Sequence, residues 1–374
     1  MTVTPPAADL EARLSRARGA AASAGVDALL ISPGPDLRYL TGYDAKALER
    51  LTCLVLPVEG TPTLVVPALE HPAAEASSAS DLGLDLVPWQ ETEDAYALVA
   101  KLLPGVNRVA VDDHMWAEKV LAFRVALPGV EQSLAGEILR ELRMRKSAAE
   151  VEALRAAGAA IDRVHARIAE WLRPGRTERQ VGRDIYDAIL AEGHVQVDFV
   201  IVGSGPNSAS PHHELSDRVI ERGDPVVVDI GGTTQAGYCS DETRTYIAGG
   251  EAPEEFRDYY DVLQRAQAAA CAHVRPGVTA ESVDVVARDI ITAAGYGSAF
   301  IHRTGHGIGM QGHEDPYIVA GNTVVLEPGM AFSVEPGIYL ERRHGARIED
   351  IVVVTDDGYD SLNLRPRELE VIDA

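Results

Sequence analysis

Cysteine and long apolar segments are scarce in this sequence of 374 residues. Its three cysteines, Cys53, Cys239 and Cys271, are far apart and form no Cys-x-x-Cys pair, so a cysteine zinc site is not expected. No apolar run reaches the roughly 18 residues that a membrane-spanning helix requires. The start, MTVTPPAADLEARLSRARG, lacks the apolar segment of a secretory signal and predicts a short disordered lead into a helix. We therefore expect a cytoplasmic protein with reduced cysteines.

Basic residues are also few relative to acidic ones. The chain has 34 Lys and Arg against 57 Asp and Glu, which gives a formal net charge of −23 at pH 7. A nucleic-acid-binding protein needs a basic surface, so this balance argues against that class, whereas it would help a deep site to attract small cations. Hydrophobic residues make up 46%, which excludes a disordered chain and is consistent with about two globular domains.

Strand and helix patterns alternate through the first third of the chain. The segments VDALLIS and RVAVDD predict strands beside helices, and ERLTCLVLPVEGTPTLVVPALE predicts two strands joined at Glu59-Gly60. From about residue 136 a nearly continuous helical pattern follows, with a break near Arg145 to Ser147. We therefore predict an N-terminal α/β domain over residues 1–136, a linking helix over 137–146 and a second domain over 147–374.

The second part of the chain contains an internal repeat. RPGRTERQVGRDIYDAILAEG begins at Arg173, RPGVTAESVDVVARDIITAAG begins at Arg275, and the two segments align without a gap. Thr177 and Thr279 hold equivalent positions, where each could cap the helix that follows. We predict two related halves, each a helix pair leading into β structure, with any shared site at their junction.

A pair of aspartates lies in one predicted hairpin. PVVVDIGGTTQAGYCSDETRTYIAG, residues 225–249, predicts two strands joined by a turn at GGTTQAGY. This hairpin can bring Asp229 and Asp241 together. Either aspartate alone is better explained as a cap of the turn, but a carboxylate at the end of an apolar strand is costly to bury unless a cation compensates it.

Three glutamates follow in the last part of the chain. Glu327 opens a polar turn, and we expect a solvated carboxylate there, whereas Glu335 ends the apolar segment AFSV and should emerge from a buried strand. In ARIEDIVVV, Arg347 and Glu349 are two residues apart and therefore lie on the same face of a strand. They form either a salt bridge or part of a site.

A glycine-rich segment, TGHGIGMQGHEDP at residues 304–316, carries two histidines seven residues apart. Its glycines allow unusual dihedral angles and a close approach of the backbone to a bound group. A single loop histidine is usually structural. Together with two aspartates and two glutamates, however, His306 completes a set of four carboxylates and one imidazole, whose charge of −4 matches two divalent cations. Such a set favours hard ions such as Mn²⁺, and paired ions suit hydrolysis.

These motifs resemble a known family as a set. DIGG with SDETRT, TGHGIG with HEDP, SVEPGIY and RIEDIV occur in the order and spacing of the metallopeptidases with the pita-bread fold, which include aminopeptidase P, prolidase and methionine aminopeptidase. The similarity spans roughly residues 140–370. The preceding segment resembles the N-terminal domain of the proline-directed branch and of the creatinases. The resemblance implies an α+β pita-bread catalytic domain with a pseudo-twofold internal repeat, preceded by a smaller α/β creatinase-like domain.

The resemblance also implies roles for individual residues. The implied metal ligands are Asp229, Asp241, His306, Glu335 and Glu349. Glu335 is implied to act as the general base as well. The implied substrate-contacting residues are His212 in the segment PNSASPHHELSDR, His313, and the supporting residues His302, Tyr317, Tyr339 and Arg347. His213 matches no role, and we expect a surface or loop histidine there.

Two positions depart from the family pattern. Asp229 and Asp241 are twelve residues apart, one more than in several relatives, and a longer turn would absorb the difference. Prolidases often carry an arginine four residues after the position of His313, where it binds the free carboxylate of a dipeptide, but this chain has Tyr317. The substitution favours longer peptides over dipeptides unless another cation replaces that arginine.

The implied function is a dinuclear exopeptidase that hydrolyses the N-terminal Xaa-Pro bond of peptides through a metal-bridging hydroxide. The expected cofactors are two divalent ions per subunit, Mn²⁺ first and Co²⁺, Zn²⁺ or Fe²⁺ otherwise, and the expected assembly is a homodimer. Three alternatives stay open: a strict Xaa-Pro dipeptidase, a metal-dependent hydrolase of another small amide, and a non-catalytic pita-bread binding protein. The presence of all five implied ligands disfavours the last of these.

Overall fold

The computed structural model describes residues 6–373, so the first five residues of the predicted disordered lead lie outside it. The chain divides into two compact units between Arg143 and Met144. This division falls inside the segment that was predicted to be a linking helix, and the predicted domain limits themselves stay a prediction. Within residues 6–373, no helix combines the length and the apolar character that crossing a membrane requires.

The N-terminal unit is built on a six-stranded mixed sheet. Its strands are β1 Ala28–Ile31, β2 Cys53–Pro57, β3 Thr63–Pro67, β4 Asp85–Trp89, β5 Arg108–Val111 and β6 Glu131–Leu134. They lie in the order β4-β3-β2-β1-β5-β6. The helices are α1 Ala7–Ser23, α2 Pro35–Thr41, α3 His71–Glu75, α4 Ala95–Leu102, α5 Ala117–Ala126 and α6 Gly136–Met144. The alternation of strands and helices confirms the predicted α/β class.

The hairpin predicted around Glu59-Gly60 is present. β2 and β3 pair antiparallel, and the positive φ of 101° at Gly60 is a conformation that glycine adopts at no steric cost. The four residues of β1 are all buried, which fits the continuous apolar sequence ALLI of a central strand. Alternate strand residues such as Leu30, Val55 and Val65 form an apolar core on one face of the sheet with α4 and α5.

The C-terminal unit begins with a helix whose start is fixed by its own sequence. α7 spans Ala148–Ala166, and Ser147 and Glu150 form a capping box at its N-terminus. The break predicted near Arg145 to Ser147 is therefore confirmed. The C-terminal unit consists of two halves, and the first half continues with α8 Glu178–Ala191, β7 His194–Ser204, β8 Pro225–Thr234 and β9 Cys239–Ala248. With β17 Glu370–Ile372, these strands form a sheet in the order β17-β9-β8-β7.

The second half of this unit has the same helix pair followed by strands. Its helices are α9 Glu254–His273 and α10 Ala280–Ala293. Its strands are β10 Gly305–Gly307, β11 Glu314–Ile318, β12 Ala331–Val334, β13 Gly337–Leu340, β14 His344–Arg347, β15 Asp350–Val354 and β16 Tyr359–Ser361. Five of them pair in the order β11-β10-β12-β15-β16, and β13 pairs with β14. Apolar faces of α9 and α10 pack on this β structure to form the largest described core.

Equivalent backbone contacts relate the two halves. Gly175 donates its N–H to the carbonyl of Ile220 at 2.9 Å, and Gly277 donates its N–H to the carbonyl of Leu326 at 3.0 Å. Each bond ties the segment before a helix to an extended segment later in the same half. The internal repeat read from the sequence is thus present in the fold.

The two threonines at the helix starts differ, however. Thr177 caps α8, accepting the N–H of Gln180, whose side chain returns a bond to the backbone of Thr177. Thr279 holds the N-cap position of α10 but makes no capping hydrogen bond. The equivalent of Gln180 is Ser282, which is too short to reach back and instead donates its hydroxyl to the carbonyl of Thr279 at 2.6 Å. The prediction of a cap at Thr279 was therefore wrong.

Candidate metal centre

Asp229 and Asp241 lie on neighbouring strands of one hairpin. In the antiparallel pairing of β8 with β9, Asp229 is opposite Thr243 and Gly231 is opposite Asp241. The two aspartates are therefore diagonal neighbours on one face. The predicted turn at GGTTQAGY was too long, because GGTT continues β8. Both aspartates are buried, with 7% and 4% of their surface exposed.

His306 lies in β10, where the backbone is packed against its neighbours. The glycines at 305, 307 and 309 were expected to allow unusual dihedral angles and a close approach to a bound group, and none of the three has a positive φ. A Cβ at Gly305 would instead collide with the carbonyl oxygen of Ser333, and one at Gly307 with backbone carbonyls of the neighbouring strand. Lack of space, not dihedral freedom, requires glycine here, and the segment forms a short strand, not an irregular loop.

The tautomer of His306 follows from its contacts. Its Nδ1 lies 3.2 Å from the carbonyl oxygen of Gly307, which can only accept, so Nδ1 carries the hydrogen. In the neutral ring Nε2 therefore presents a lone pair, and it lies 3.2 Å from an oxygen of Glu335 and 3.7 Å from an oxygen of Asp241. A lone pair facing two carboxylates is repulsive, so Nε2 requires a proton or a metal ion between itself and these oxygens.

Glu335 and Glu349 complete the cluster from two further segments. Glu335 follows β12, as predicted for a carboxylate that emerges from a buried strand, and accepts a bond from Ser333 at 3.1 Å. Glu349 precedes β15 and accepts a bond from the hydroxyl of Thr243 at 2.7 Å. Potential ligand atoms of Asp241, His306 and Glu349 all lie within 4.8 Å of one another. Glu327, by contrast, is exposed and bonds Arg145 at 2.7 Å, as a solvated turn carboxylate.

The electrostatics of this cluster fit a bound cation. Burial and the negative charge of Asp229 raise the pKa of Asp241 well above its usual range. Burial and the charge of Asp241 do the same to the pKa of Glu349. One carboxylate oxygen of Asp229 is buried without a hydrogen-bond partner. Divalent cations would relieve this repulsion and satisfy that oxygen, so the residues present fit the metal ions that the sequence implied.

Arg347 and Glu349 do not bond one another as a simple salt bridge. Arg347 donates to Asp229 at 2.5 Å and to the hydroxyl of Tyr339 at 2.8 Å. The Tyr339 hydroxyl is 2.9 Å from Nε2 of His302, whose Nδ1 lies 2.7 Å from a backbone carbonyl and therefore donates. Since burial also lowers the pKa of His302, its neutral ring accepts the hydrogen bond from Tyr339. This chain of bonds fixes Asp229 in place.

The cluster forms one wall of a cavity of about 1110 Å³. Two further predicted residues, His212 and His313, line the same cavity and are exposed to it. The ring of His313 lies 3.9 Å from that of His306, and burial, followed by the charges of His306 and Arg303, lowers the pKa of His313 to about 4. His313 is therefore neutral near pH 7 and retains one N–H to donate.

Two further residues of the predicted substrate site lie behind the cavity wall. Tyr317 and Tyr339 are not among the described residues that line the cavity. Tyr339 supports His302 and Arg347, and Tyr317 lies beneath the guanidinium of Arg303. Both residues therefore support side chains that line the cavity.

Several residues of the site region had no signal in the sequence. Glu178 is fully buried and accepts bonds from Ser204, Asn207, Ser216 and His213. His213 lies in a loop, as expected, and it is half-buried and lies 2.7 Å from Glu178. Glu178 follows the helix cap Thr177, where an acidic residue is commonplace, so only the fold distinguishes it.

In the second half, Asp284 has a similar anchoring position. It accepts bonds from the backbone N–H and the hydroxyl of Thr304, at 3.1 and 2.7 Å, and from Arg288. Thr304 directly precedes β10. Asp284 therefore holds the start of the segment that carries His306.

Known proteins resemble this chain over nearly its full length. Residues 152–356 match metallopeptidase family M24, and residues 13–145 match the creatinase/prolidase N-terminal domain. The chain is 56% identical over 361 residues, 96% of either protein, to a probable dipeptidase PepE of Mycobacterium tuberculosis. It is 38% identical to an Xaa-Pro dipeptidase of Lactobacillus delbrueckii subsp. lactis, over 93% of this chain and 95% of that protein. A prolidase structure from Thermococcus sibiricus superimposes with a TM-score of 0.90 at 36% identity, over 97% and 99% of the chains.

Proposed function

The chain belongs to metallopeptidase family M24, and we propose that within this family it hydrolyses the Xaa-Pro bond of dipeptides. Membership makes it a hydrolytic peptidase with a creatinase-type N-terminal domain and a pita-bread catalytic domain. The observation that carries the proposal is the buried cluster of four carboxylates and one histidine in the wall of the cavity. The names of the full-length relatives, dipeptidase and Xaa-Pro dipeptidase, support the choice of substrate.

We propose that two divalent ions are held by Asp229, Asp241, His306, Glu335 and Glu349. Bound there, such ions would supply Lewis-acid activation of a water and of the scissile carbonyl. Mn²⁺ is the ion that we expect first, because carboxylate oxygens outnumber nitrogen in the set and thiolates are absent from it. Proton transfer and binding of the scissile carbonyl oxygen are assigned to side chains of this protein.

Glu335 is proposed as the group that moves the proton. Burial acts to raise its pKa, but the hydrogen bond and charge of His306 lower it to about 2, so Glu335 is ionised at neutral pH. It lines the cavity, where it can accept a proton from the attacking water and pass it to the leaving nitrogen.

His212 and His313 are proposed to bind the carbonyl oxygen of the scissile bond. Both face the cavity, and the neutral ring of His313 can donate one N–H to the developing negative charge. The buried bonds from Arg347 to Asp229 and Tyr339 hold the carboxylate of Asp229 in place. Because the Xaa-Pro bond has no N–H, the site does not need an acceptor for that group.

The proposal also specifies the length of the substrate, dipeptides and not longer peptides. Tyr317 in place of an arginine favoured longer peptides, whereas the relatives favour dipeptides. We choose dipeptides because the matches cover nearly the whole of both chains. A homodimer in the cytoplasm, and domain limits near residues 136 and 146, are further proposals from the sequence.

The test is hydrolysis by metal-stripped protein refilled with Mn²⁺. Matched substrates are Ala-Pro, Ala-Ala, Ala-Pro-Ala and Ala-Ala-Ala. We expect Ala-Pro to be cleaved with the highest kcat/KM. Preference for Ala-Pro-Ala would instead make the enzyme an Xaa-Pro aminopeptidase. If no divalent ion supports any proline-dependent cleavage, the Xaa-Pro assignment is wrong and a small-amide substrate becomes the leading candidate.

A further inference from the structure

Three guanidinium groups line the cavity, and they differ in what they bond. Arg347 is buried and bonds Asp229. Arg179 bonds Asp217 at 2.9 Å, and 48% of its side chain is exposed. Arg303 is half-buried, and no carboxylate within residues 6–373 lies within 4.0 Å of its guanidinium. Of the three, Arg303 is the cation that could bind an anion entering the cavity.

The guanidinium of Arg303 is held by an aromatic ring. Its central carbon lies 4.5 Å from the centre of the ring of Tyr317. Such stacking covers one face of the guanidinium and leaves its N–H groups, which lie in the plane, available for hydrogen bonds. The backbone carbonyl of Arg303 also accepts the bond from His302, so the residue is fixed at both its backbone and its side chain.

Arg303 is also close to the proposed reaction site. It lies three residues before His306 in the sequence and lines the same cavity as His306, His313 and Glu335. A planar guanidinium with free in-plane N–H groups matches the geometry of a carboxylate, which it can bind through two parallel hydrogen bonds. A dipeptide presents such a carboxylate on its second residue, one residue beyond the scissile bond, whereas a longer peptide presents a neutral amide there.

We propose that Arg303, stacked on Tyr317, binds the free C-terminal carboxylate of a dipeptide and thereby selects substrates of two residues. This rests on the proposed function, since it assumes cleavage of an Xaa-Pro bond at the metal centre. It also assigns a purpose to Tyr317: the residue supplies no charge but orients one that comes from another position. Arg303 thus determines specificity, and the proposed metal ligands do the chemistry.

The decisive experiment compares Ala-Pro with Ala-Pro-NH₂, which differ only in the charge of the C-terminus. Arg303→Gln should raise KM for Ala-Pro and lower kcat/KM by about 10- to 100-fold, as expected for loss of a charged hydrogen-bonded pair. The kcat/KM for Ala-Pro-NH₂ should change less than about threefold. Arg303→Lys retains the charge but cannot form two parallel hydrogen bonds. Its kcat/KM for Ala-Pro should lie between those of the wild type and Arg303→Gln.

Two more variants separate this effect from general damage. Tyr317→Leu removes the ring beneath the guanidinium and should reproduce part of the Ala-Pro defect. Arg179→Gln removes the guanidinium that already bonds Asp217 and should not change the preference for Ala-Pro over its amide. Thermal unfolding and bound Mn²⁺ are measured for each variant, so that a misfolded or metal-poor protein is recognised.

The outcomes are distinct. Equal loss on both substrates in folded, metal-loaded Arg303→Gln, or no loss on either, overturns the role of Arg303 while the peptidase assignment stands. The same holds if the wild-type enzyme cleaves Ala-Pro-NH₂ as well as Ala-Pro. The inhibition constants of L-proline and L-prolinamide give a second test. The wild type should bind L-proline more tightly than L-prolinamide, and Arg303→Gln should lose this preference. Failure of the wild type to cleave either substrate would refute the proposed function itself.

Discussion

The two halves of the catalytic unit use similar scaffolds to deliver different chemistry. In the first half, a long hairpin presents two aspartates, and the buried Glu178 anchors the segment that carries His212. In the second half, a glycine strand presents His306, and the buried Asp284 anchors its start. The two aspartates of the first half lie on one face of paired strands, and Gly231 and Gly232 of that hairpin also leave no space for a Cβ.

The histidine of the second half needs a backbone that lies close to its neighbours, which only glycine allows. The halves therefore differ in the ligands that their crowded strands present, two aspartates in the first and His306 in the second. Both should be sensitive to added volume at these glycines and to loss of charge at the carboxylates.

The largest expected effect comes from removing a carboxylate at the junction of the halves. Glu349→Gln should lower bound Mn²⁺ and reduce kcat/KM by more than about 100-fold. In metal-free protein, Glu349→Gln should instead increase thermal stability. The pKa of Glu349 is raised above its ordinary 4.5 by burial and neighbouring carboxylates, so its ionised form destabilises metal-free protein increasingly as pH rises above that value.

Thermal unfolding with and without a chelator checks this pair of effects. At pH 7 the metal-free Glu349→Gln protein should melt roughly 2–4 °C above metal-free wild type, and the Mn²⁺-supplemented variant should melt below the wild type under the same conditions. A variant that is destabilised in both states would contradict a site that is held together by cations.

Volume is the next test, and it is directed at the second half. Gly305→Ala places a methyl group against the carbonyl of Ser333, whereas Gly312→Ala, in the same segment, meets nothing within 4 Å. We expect Gly305→Ala to cost about 2–3 kcal/mol of unfolding free energy and to lower Mn²⁺ binding. Urea denaturation of the two variants measures the contrast, and equal stability would show that the strand can shift.

Much of this fold and site could be predicted from the sequence, because the signals were local. The helix break before Ala148 is marked by a capping box, and the hairpin at Gly60 by alternation and a turn. The spacing of the implied ligands reflects motifs that remain intact in this chain. What the sequence did not reveal depends on contacts between distant segments.

Three cases illustrate this limit. The glycines at 305 and 307 were expected for their dihedral angles, but the reason for them is the neighbouring strands, which a linear pattern does not show. Glu178 is an ordinary helix-start residue until the segment containing His213 folds onto it. Arg303 gains significance only from the ring of Tyr317, fourteen residues later, and from the cavity that Arg303 lines.

The two anchoring carboxylates give a smaller, separable effect. Glu178→Gln should cost about 2 kcal/mol and lower kcat by displacing His212, with bound Mn²⁺ unchanged. Asp284→Asn should instead reduce bound Mn²⁺, because it releases the start of the His306 strand. Metal content together with steady-state kinetics separates the two, and loss of metal in both variants would contradict this division of roles.

The cost of Glu178→Gln should also depend on pH. Burial acts to raise the pKa of Glu178, but hydrogen bonds from Ser216, Ser204 and His213 leave it below its ordinary 4.5. The stability that Glu178 contributes is therefore fully present above about pH 4.5 and is lost as pH falls through the folded pKa. Urea midpoints of wild type and Glu178→Gln should converge below that pH, and parallel curves would assign the effect to packing instead.

The smallest effect concerns the two helix starts that look alike in the sequence. Thr177 accepts the N–H of Gln180 at 3.2 Å and takes part in a capping box, whereas Thr279 makes no capping bond. Thr177→Ala should therefore cost about 1 kcal/mol and Thr279→Ala only a few tenths. Chemical denaturation of both variants measures the difference. Equal losses of unfolding free energy in the two variants would mean that Thr279 caps α10 in solution. In that case Ser282→Gln should not increase the stability of the protein.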